Sequence, residues 1–376
     1  LCIAYREMND KRIDGLSIPL TDNDYSEGKR KKIVNKLLER LGIRERLPER
    51  TYRELLKILK DRCQSISIER KEITLQTRIK GNNVFIDEPK RRSDLAAPQL
   101  FKIDRYTGIS ILEMGLTSEQ LGLRSSPEAI LIGLMGIYSS HIITVRQQQQ
   151  QDGTYHYFVF LSPDEIADLL SSEDHYKLRN IYSIKESLRE LLSETLRSSV
   201  ISEIMVLEVM LSTKIRSELE SKNLDKVDFN IFKISPEERQ TKKTKRRTKK
   251  TNYCTYKIYE TVPITVYRNP MFYEILQKRG IRADKVSEEL HKALSPGGAI
   301  MKALSSFNSM DKYSEADAIL RGVFGLFRFV SLTDAQGLFQ FLRSLGEACT
   351  ILKDDEGANY RVREYTRIMK SLSYAF

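Results

Sequence analysis

Ten consecutive residues, 241–250, read TKKTKRRTKK, and seven of them are cationic: Lys242, Lys243, Lys245, Arg246, Arg247, Lys249 and Lys250. Charges of one sign packed this densely repel one another in any compact form and stay in water. The chain therefore cannot pass through a core here. On either side lie two apolar, strand-like stretches, 227–234 and 253–267, with Ser235, Pro236 and the polar EERQ in between. That is the layout of a long loop held at both ends by a sheet. A flexible cationic loop on a fixed base suits a polyanion, because each phosphate it neutralises releases counterions and no fixed shape is demanded. A solvated surface loop or an import-type basic signal is the alternative reading.

The charge of the whole chain points the same way once it is divided. Residues 1–110 carry 25 Lys and Arg against 17 Asp and Glu, residues 111–240 carry 13 against 20, and residues 241–376 carry 24 against 14. Two basic ends flank an acidic middle. Such asymmetry predicts one surface for nucleic acid and another for protein or solvent. No basic helix with an aromatic face marks a membrane surface, and tryptophan is absent. No apolar run reaches the 18 to 20 or so residues a membrane span needs, and no secretory signal is read at the start. The four cysteines, Cys2, Cys63, Cys254 and Cys349, are widely spaced without a CxxC pair. No zinc site or disulfide framework is expected, and a cytoplasmic location fits.

At 376 residues the chain is long enough for two or three cores. The pattern predicts an α+β fold in three segments: a basic α/β N-terminal domain over 1–115, a central α+β domain over 116–268 carrying the basic loop at 235–252, and a helical bundle over 269–376. In the first, 27–41 is an amphipathic helix closed by Gly42, and Thr51 with Glu54 forms a capping box for a second helix with Leu55, Ile58 and Leu59 inward. From residue 65 the apolar period changes to two. Ile66, Ile68, Ile73, Leu75 and Ile79, then a turn at Gly81, Asn82 and Asn83, predict an antiparallel meander. The loop after it carries Lys90, Arg91 and Arg92, a second candidate for phosphate or guanine contact.

In the centre, Ser126, Pro127 and Glu128 open a helix whose AILIGLMGIY stretch is apolar on every side and is expected to be buried all round, with Gly133 and Gly136 allowing close approach. A hairpin follows over 142–161, interrupted by five glutamines, with a helix running into the glutamines as the other possibility. Ser162 and Pro163 open a further helix, and two long helices are expected over 177–198 and 200–220. Beyond the basic run, Tyr253, Tyr256, Tyr259 and Tyr267 interleave with Lys257 and Arg268, a pattern that can stack on unpaired bases or simply serve strand packing. The tail is helical, with Thr333 and Gln336 as a capping box and Phe324, Phe327, Phe339 and Phe341 expected in an aromatic core.

Catalytic patterns are missing. Asp164, Glu165 and Asp168, and Asp354, Asp355 and Glu356, are carboxylate clusters, but the first opens a helix where acids favour the dipole and the second lies in a loop. The four histidines form no paired motif, and no Walker, GxSxG or GxGxxG pattern occurs. No metal or cofactor is expected, although a site assembled from distant residues would be invisible at this level.

SPEAILIGLMGIYSSHIITVR (126–146) with TYHYFVFLSPDE (154–165), and KIYETVPITVYR (257–268) with LRGVFGLFRFVSL (320–332), resemble the large subunit of archaeal type I-A CRISPR surveillance (Cascade) complexes. The resemblance spans about residues 125–376 and rests on layout, since it carries no catalytic signature. It implies a non-enzymatic subunit in a crRNA-bound assembly, contributing to recognition of the protospacer-adjacent motif on target double-stranded DNA, stabilising the opened duplex and recruiting helicase and nuclease proteins for antiviral defence. Sequence would be read by the guide RNA, and the protein would hold backbone and shape. A metal-dependent nuclease and a protein–protein scaffold are the rival expectations.

Overall fold

The computed structural model describes residues 8–21, 24–25, 32–64, 74–87, 97–101, 106–107, 122–147, 153–172, 175–198, 202–240, 252–305, 313–353 and 355–373. The fold is α+β, and the chain divides into two compact units, residues 1–158 with 232–261 and residues 159–231 with 262–376.

The first unit begins with α1 (Asp10–Gly15), α2 (Ile33–Arg40) and α3 (Tyr52–Gln64). Helix α2 buries Val34, Leu37 and Leu38 and is followed by Gly42 at φ +69°, the left-handed conformation that suits glycine. Thr51 caps α3 by accepting the Glu54 N–H at 3.2 Å, while the Glu54 carboxylate takes the Glu49 N–H at 3.0 Å. The box expected between Thr51 and Glu54 is thus half realised. Leu55, Leu56, Leu59 and Cys63 are buried. Cys63 is disulfide-bonded, which corrects the expectation drawn from cysteine spacing. Separation along the chain does not limit separation in space. Cys349 is free.

Strands β1 (Gln76–Lys80) and β2 (Asn83–Asp87) form a hairpin in register from Gln76↔Asp87 to Lys80↔Asn83, with Gly81 at φ +56° in its turn. After the short β3 (Tyr106–Thr107), β4 (Gly122–Ser125) pairs with β2 in parallel, giving the order β1-β2-β4. The sheet is mixed where the period-two reading expects a meander. A four-residue strand that arrives from far along the chain leaves no periodic trace. Residues 65–73, the first part of the expected meander, lie outside the described residues.

Helix α4 (Pro127–Ser140) starts as its sequence dictates: the Ser126 hydroxyl accepts the Ala129 N–H at 3.1 Å and Pro127 takes the first position. It buries Ile130, Leu131, Leu134 and Tyr138, but Ile132 is 38% exposed, so it is not enclosed on every side. A Cβ at Gly133 would stand 3.0 Å from the Phe101 ring, whereas one at Gly136 would meet open space. Strands β5 (His141–Gln147) and β6 (Gly153–Leu161) follow as an antiparallel pair, so the helix ends before the glutamines.

A polar knot ties α1 to this pair. The Thr144 hydroxyl donates to the Gly15 carbonyl at 2.9 Å, leaving its oxygen to accept from His141 Nε2 at 3.0 Å and His156 Nδ1 at 2.9 Å. Both rings are thereby set in one tautomer. His156 Nε2 is left as a buried lone pair without a partner among the described residues. Burial lowers the His156 pKa to about 4. Since its unfolded value is about 6.5, the unfolded chain takes up a proton that the folded chain refuses, and stability falls as pH drops from about 6.5 towards 4. The loss reaches about 3 kcal/mol at pH 4. Urea unfolding at pH 7.5 and pH 4 is expected to show that loss in the native chain and much less of it in His156→Asn. Equal pH dependence in both would contradict the assignment.

The chain continues through α5 (Pro163–Ser172), α6 (His175–Ser198), α7 (Ser202–Leu211) and α8 (Thr213–Ser221). The single helix expected over 200–220 is broken at Ser212, whose hydroxyl accepts the Ile215 N–H at 3.3 Å and caps α8. Neither glycine nor proline marks the break. Strands β7 (Lys226–Gln240) and β8 (Asn252–Tyr267) complete a five-stranded sheet of order β3-β8-β7-β6-β5. Then come α9 (Met271–Lys278), α10 (Ala283–Leu294), α11 (Ala299–Ser305), α12 (Tyr313–Leu332), α13 (Ala335–Ile351) and α14 (Asn359–Ser373).

Helices α7 and α9 to α14 share one core in the second unit, including Leu207, Phe272, Leu290, Ile300, Val323, Phe341 and Ile368. Of the expected aromatic core, Phe341 is buried and Phe327 partly so, but Phe324 and Phe339 are 40% and 54% exposed. The α12 stripe facing α13 runs through Gly322, Gly325 and Phe329 instead. Asp334, not Thr333, caps α13, accepting the Gln336 N–H at 2.9 Å. Two buried acids are matched inside this core: Glu208 lies 2.7 Å from His291 Nδ1, and Glu315 lies 2.9 Å from Arg361 and also accepts from the Tyr365 hydroxyl. Burial raises the Glu208 pKa, and the hydrogen bond to Glu208 raises that of His291.

Candidate nucleic-acid interface

The basic run sits in sequence between the end of β7 at Gln240 and the start of β8 at Asn252. Its residues Lys242, Lys243, Lys245, Arg246, Arg247, Lys249 and Lys250 lie outside the described residues, as do Lys90, Arg91 and Arg92. What is described is the sheet next to the run in sequence, and its parts within the first unit carry a defined array of side chains.

Alternation places Tyr155 and Tyr157 of β6 on one face and His156 and Phe158 on the other. The tyrosine face is continued by Lys233 on β7 and by Lys257 and Tyr259 on β8. The rings of Tyr155 and Tyr259 meet edge to face, 5.0 Å apart at 84°. Lys233 Nζ lies 4.7 Å from the centre of the Tyr155 ring and 6.0 Å from that of Tyr157, and Lys257 Nζ lies 4.4 Å from that of Tyr259. Each is cation–π contact range. Tyr157 is buried and anchors the cluster, whereas Tyr259 is 43% exposed, so the ring surface is reachable. Burial first, and the neighbouring Glu260 and Tyr155 after it, raise the Tyr157 pKa, which keeps the phenol neutral.

Chemically, the array offers π-faces to bases and two ammonium groups to phosphates. Every base has a π-face, so such a surface holds a single strand without reading sequence, at about 1–3 kcal/mol per stacked base. Of the tyrosines named from sequence, only Tyr259 belongs to it. Tyr256 is buried, and the Tyr253 side chain lies outside the described residues. Tyr267 is exposed, while Arg268 is ion-paired with Asp225. Tyr155, Tyr157 and Lys233 escaped sequence reasoning. Their only signals are the alternating aromatics of TYHYF and a lone cation in the IFKI stretch of β7.

Of the two carboxylate clusters, Glu165 and Asp355 take structural roles. Glu165 is buried and accepts the Asp228 N–H at 3.2 Å, Asp228 accepts from Thr265 and Lys226, and Asp355 caps a short turn through the Gly357 N–H at 2.9 Å. Asp164 and Asp168 are exposed, and Asp354 lies outside the described residues. Among the described residues no three His, Cys, Asp or Glu side chains converge as metal ligands. Among the same residues no helix is long and apolar enough to cross a membrane.

No family model matches the sequence, and no solved structure matches it. An uncharacterized protein of Archaeoglobus fulgidus is 39% identical over 373 residues, covering 99% of this chain and 88% of that relative. Identity at this level along nearly the whole length means one shared fold and one descent, and the chain belongs to the same family as the Archaeoglobus fulgidus protein.

Proposed function

We propose that this chain is a non-catalytic nucleic-acid-binding subunit of a CRISPR type I-A effector complex in the cytoplasm. In that role it helps recognise the protospacer-adjacent motif, holds target DNA as the duplex opens and recruits the helicase and nuclease. The observation that carries the reading is the lysine–tyrosine face of Tyr155, Lys233, Lys257 and Tyr259, built on the two strands that bracket the basic run in sequence, β7 and β8, and on β6 beside β7. Stacking rings beside ammonium groups are what an unpaired strand requires, and the basic run adds sequence-independent grip.

A second observation supports a place in a larger assembly. Helix α5 buries only Glu165 among its ten residues, while Ile166 and Leu170 are 44% and 79% exposed, and Tyr176, Leu178 and Tyr182 of α6 are exposed as well. Apolar side chains left exposed on two consecutive helices suit a surface that meets another protein.

The test is a salt series. Replacing Lys245, Arg246 and Arg247 together by alanine is expected to weaken DNA binding and to flatten the slope of log affinity against log salt by about one per lost contact. An unchanged slope in filter binding would remove the basic run from the interface.

A further inference from the structure

A second cationic site lies in the helical unit, far along the chain from the sheet face. Helices α10 and α14 pack together and leave between them a groove of about 690 Å³, within the usual range of ligand sites. Its floor is aliphatic, from Ile281, Val286 and Val362. Its walls carry Arg282, Lys285, Arg363, Arg367 and Lys370 against one acid, Glu289, and that acid already accepts a hydrogen bond from Ser371.

Two features separate this groove from an ordinary solvated helix pair. Arg363, Arg367 and Lys370 recur at intervals of four and three residues, so they form a row along one face of α14, stepping about 6 and 4.5 Å along the axis. In addition, Arg282, Lys285 and Arg363 are exposed and have no carboxylate partner among the described residues, whereas Arg367 is shared with Glu364, and Arg321 and Arg328 of α12 are ion-paired. Three cations of one concave surface, Arg282, Lys285 and Arg363, left without carboxylates among the described residues, attract a ligand that brings several negative charges.

We infer that the α10–α14 groove is a second nucleic-acid site, taking the sugar–phosphate backbone of a single strand. The inference rests on the nucleic-acid reading above and extends it to a part of the chain with no aromatic platform. Arginine forks and lysines hold the phosphates, the Thr366 and Ser371 side chains line the path, and sugars lie against the aliphatic floor. An acidic protein segment is the competing occupant. A row of cations at steps near the repeat of a phosphate chain, above a floor of only three aliphatic side chains, favours the strand.

The test uses the full chain and fluorescein-labelled dT20, titrated from about 50 to 200 mM salt. The variant Arg282→Ala/Lys285→Ala/Arg363→Ala changes only exposed side chains, and its fold is checked by thermal melting. It is expected to bind at least about tenfold more weakly and to lose about 2 from the salt slope, near 0.7 for each phosphate contact on a single strand. Tyr155→Ala/Tyr259→Ala runs beside it. If the groove variant binds dT20 like the native chain while the tyrosine variant is impaired, the groove proposal fails and the sheet reading stands. If the native chain binds no dT20, both fail. If the groove variant keeps its dT20 affinity but loses binding to a poly-glutamate probe, the groove belongs to an acidic protein and the proposal is overturned.

Discussion

Tyr155→Ala/Tyr259→Ala is expected to lower affinity for single-stranded nucleic acid by about a hundredfold while the chain remains folded. The magnitude follows from two stacking surfaces, each worth about 1–3 kcal/mol, with some of that recovered by the rings that remain. Tyr259 is 43% exposed, and Tyr157, the anchor beneath, is untouched. The loss falls in affinity at all salt concentrations and leaves the slope nearly unchanged, because no charge is removed. Lys233→Ala/Lys257→Ala provides the complement, a smaller loss of affinity with a shallower slope. If both pairs bind like the native chain, the face is packing alone, and the β-propensity of tyrosine suffices to explain it.

Gly325→Val or Gly337→Val is expected to destabilise the helical unit by about 3 kcal/mol. Helices α12 and α13 touch backbone to backbone at this crossing. A Cβ on Gly325 would stand 2.6 Å from the Gly337 carbonyl oxygen, and one on Gly337 would stand 2.5 Å from that of Gly325. Neither obstacle is a flexible side chain, so the helices must part and the core around Phe329 and Phe341 must follow. The melting midpoint should fall by about 10 °C for a unit of this size. Gly346→Ala on the same helix α13 meets nothing within 4 Å and is expected to raise stability by about 0.5–1 kcal/mol through helix propensity. Loss at all three positions would mean that glycine's backbone freedom, rather than the close crossing, matters here.

How far the residues alone foretold these features depends on the range of the interaction. Caps are local, and Ser126, Ser162 and Thr51 all act where the sequence places them. The β1–β2 hairpin is local too, with its turn set by Gly81. Pairings between distant segments were not legible: β4 joins β2 in parallel, and the Gly325–Gly337 contact turns Phe324 and Phe339 outward. The interface divides along the same line. Tyr259 and Lys257 belong to one stretch whose alternating pattern is visible, but Tyr155 and Lys233 come from two other strands and join them only through strand order. In the groove, the row on α14 has helical spacing, yet Arg282 and Lys285 precede it by about 80 residues and nothing in the pattern links them.

Incubating the native chain with labelled single-stranded DNA in Mg²⁺, across about 50 to 200 mM salt, and then reading both the bound fraction and the length of the strand tests the central claim most directly. The account predicts tight binding that falls by orders of magnitude as salt rises, with every recovered strand at full length. Binding that is absent or indifferent to salt, or a strand shortened by the native chain but not by Asp164→Ala, would contradict it.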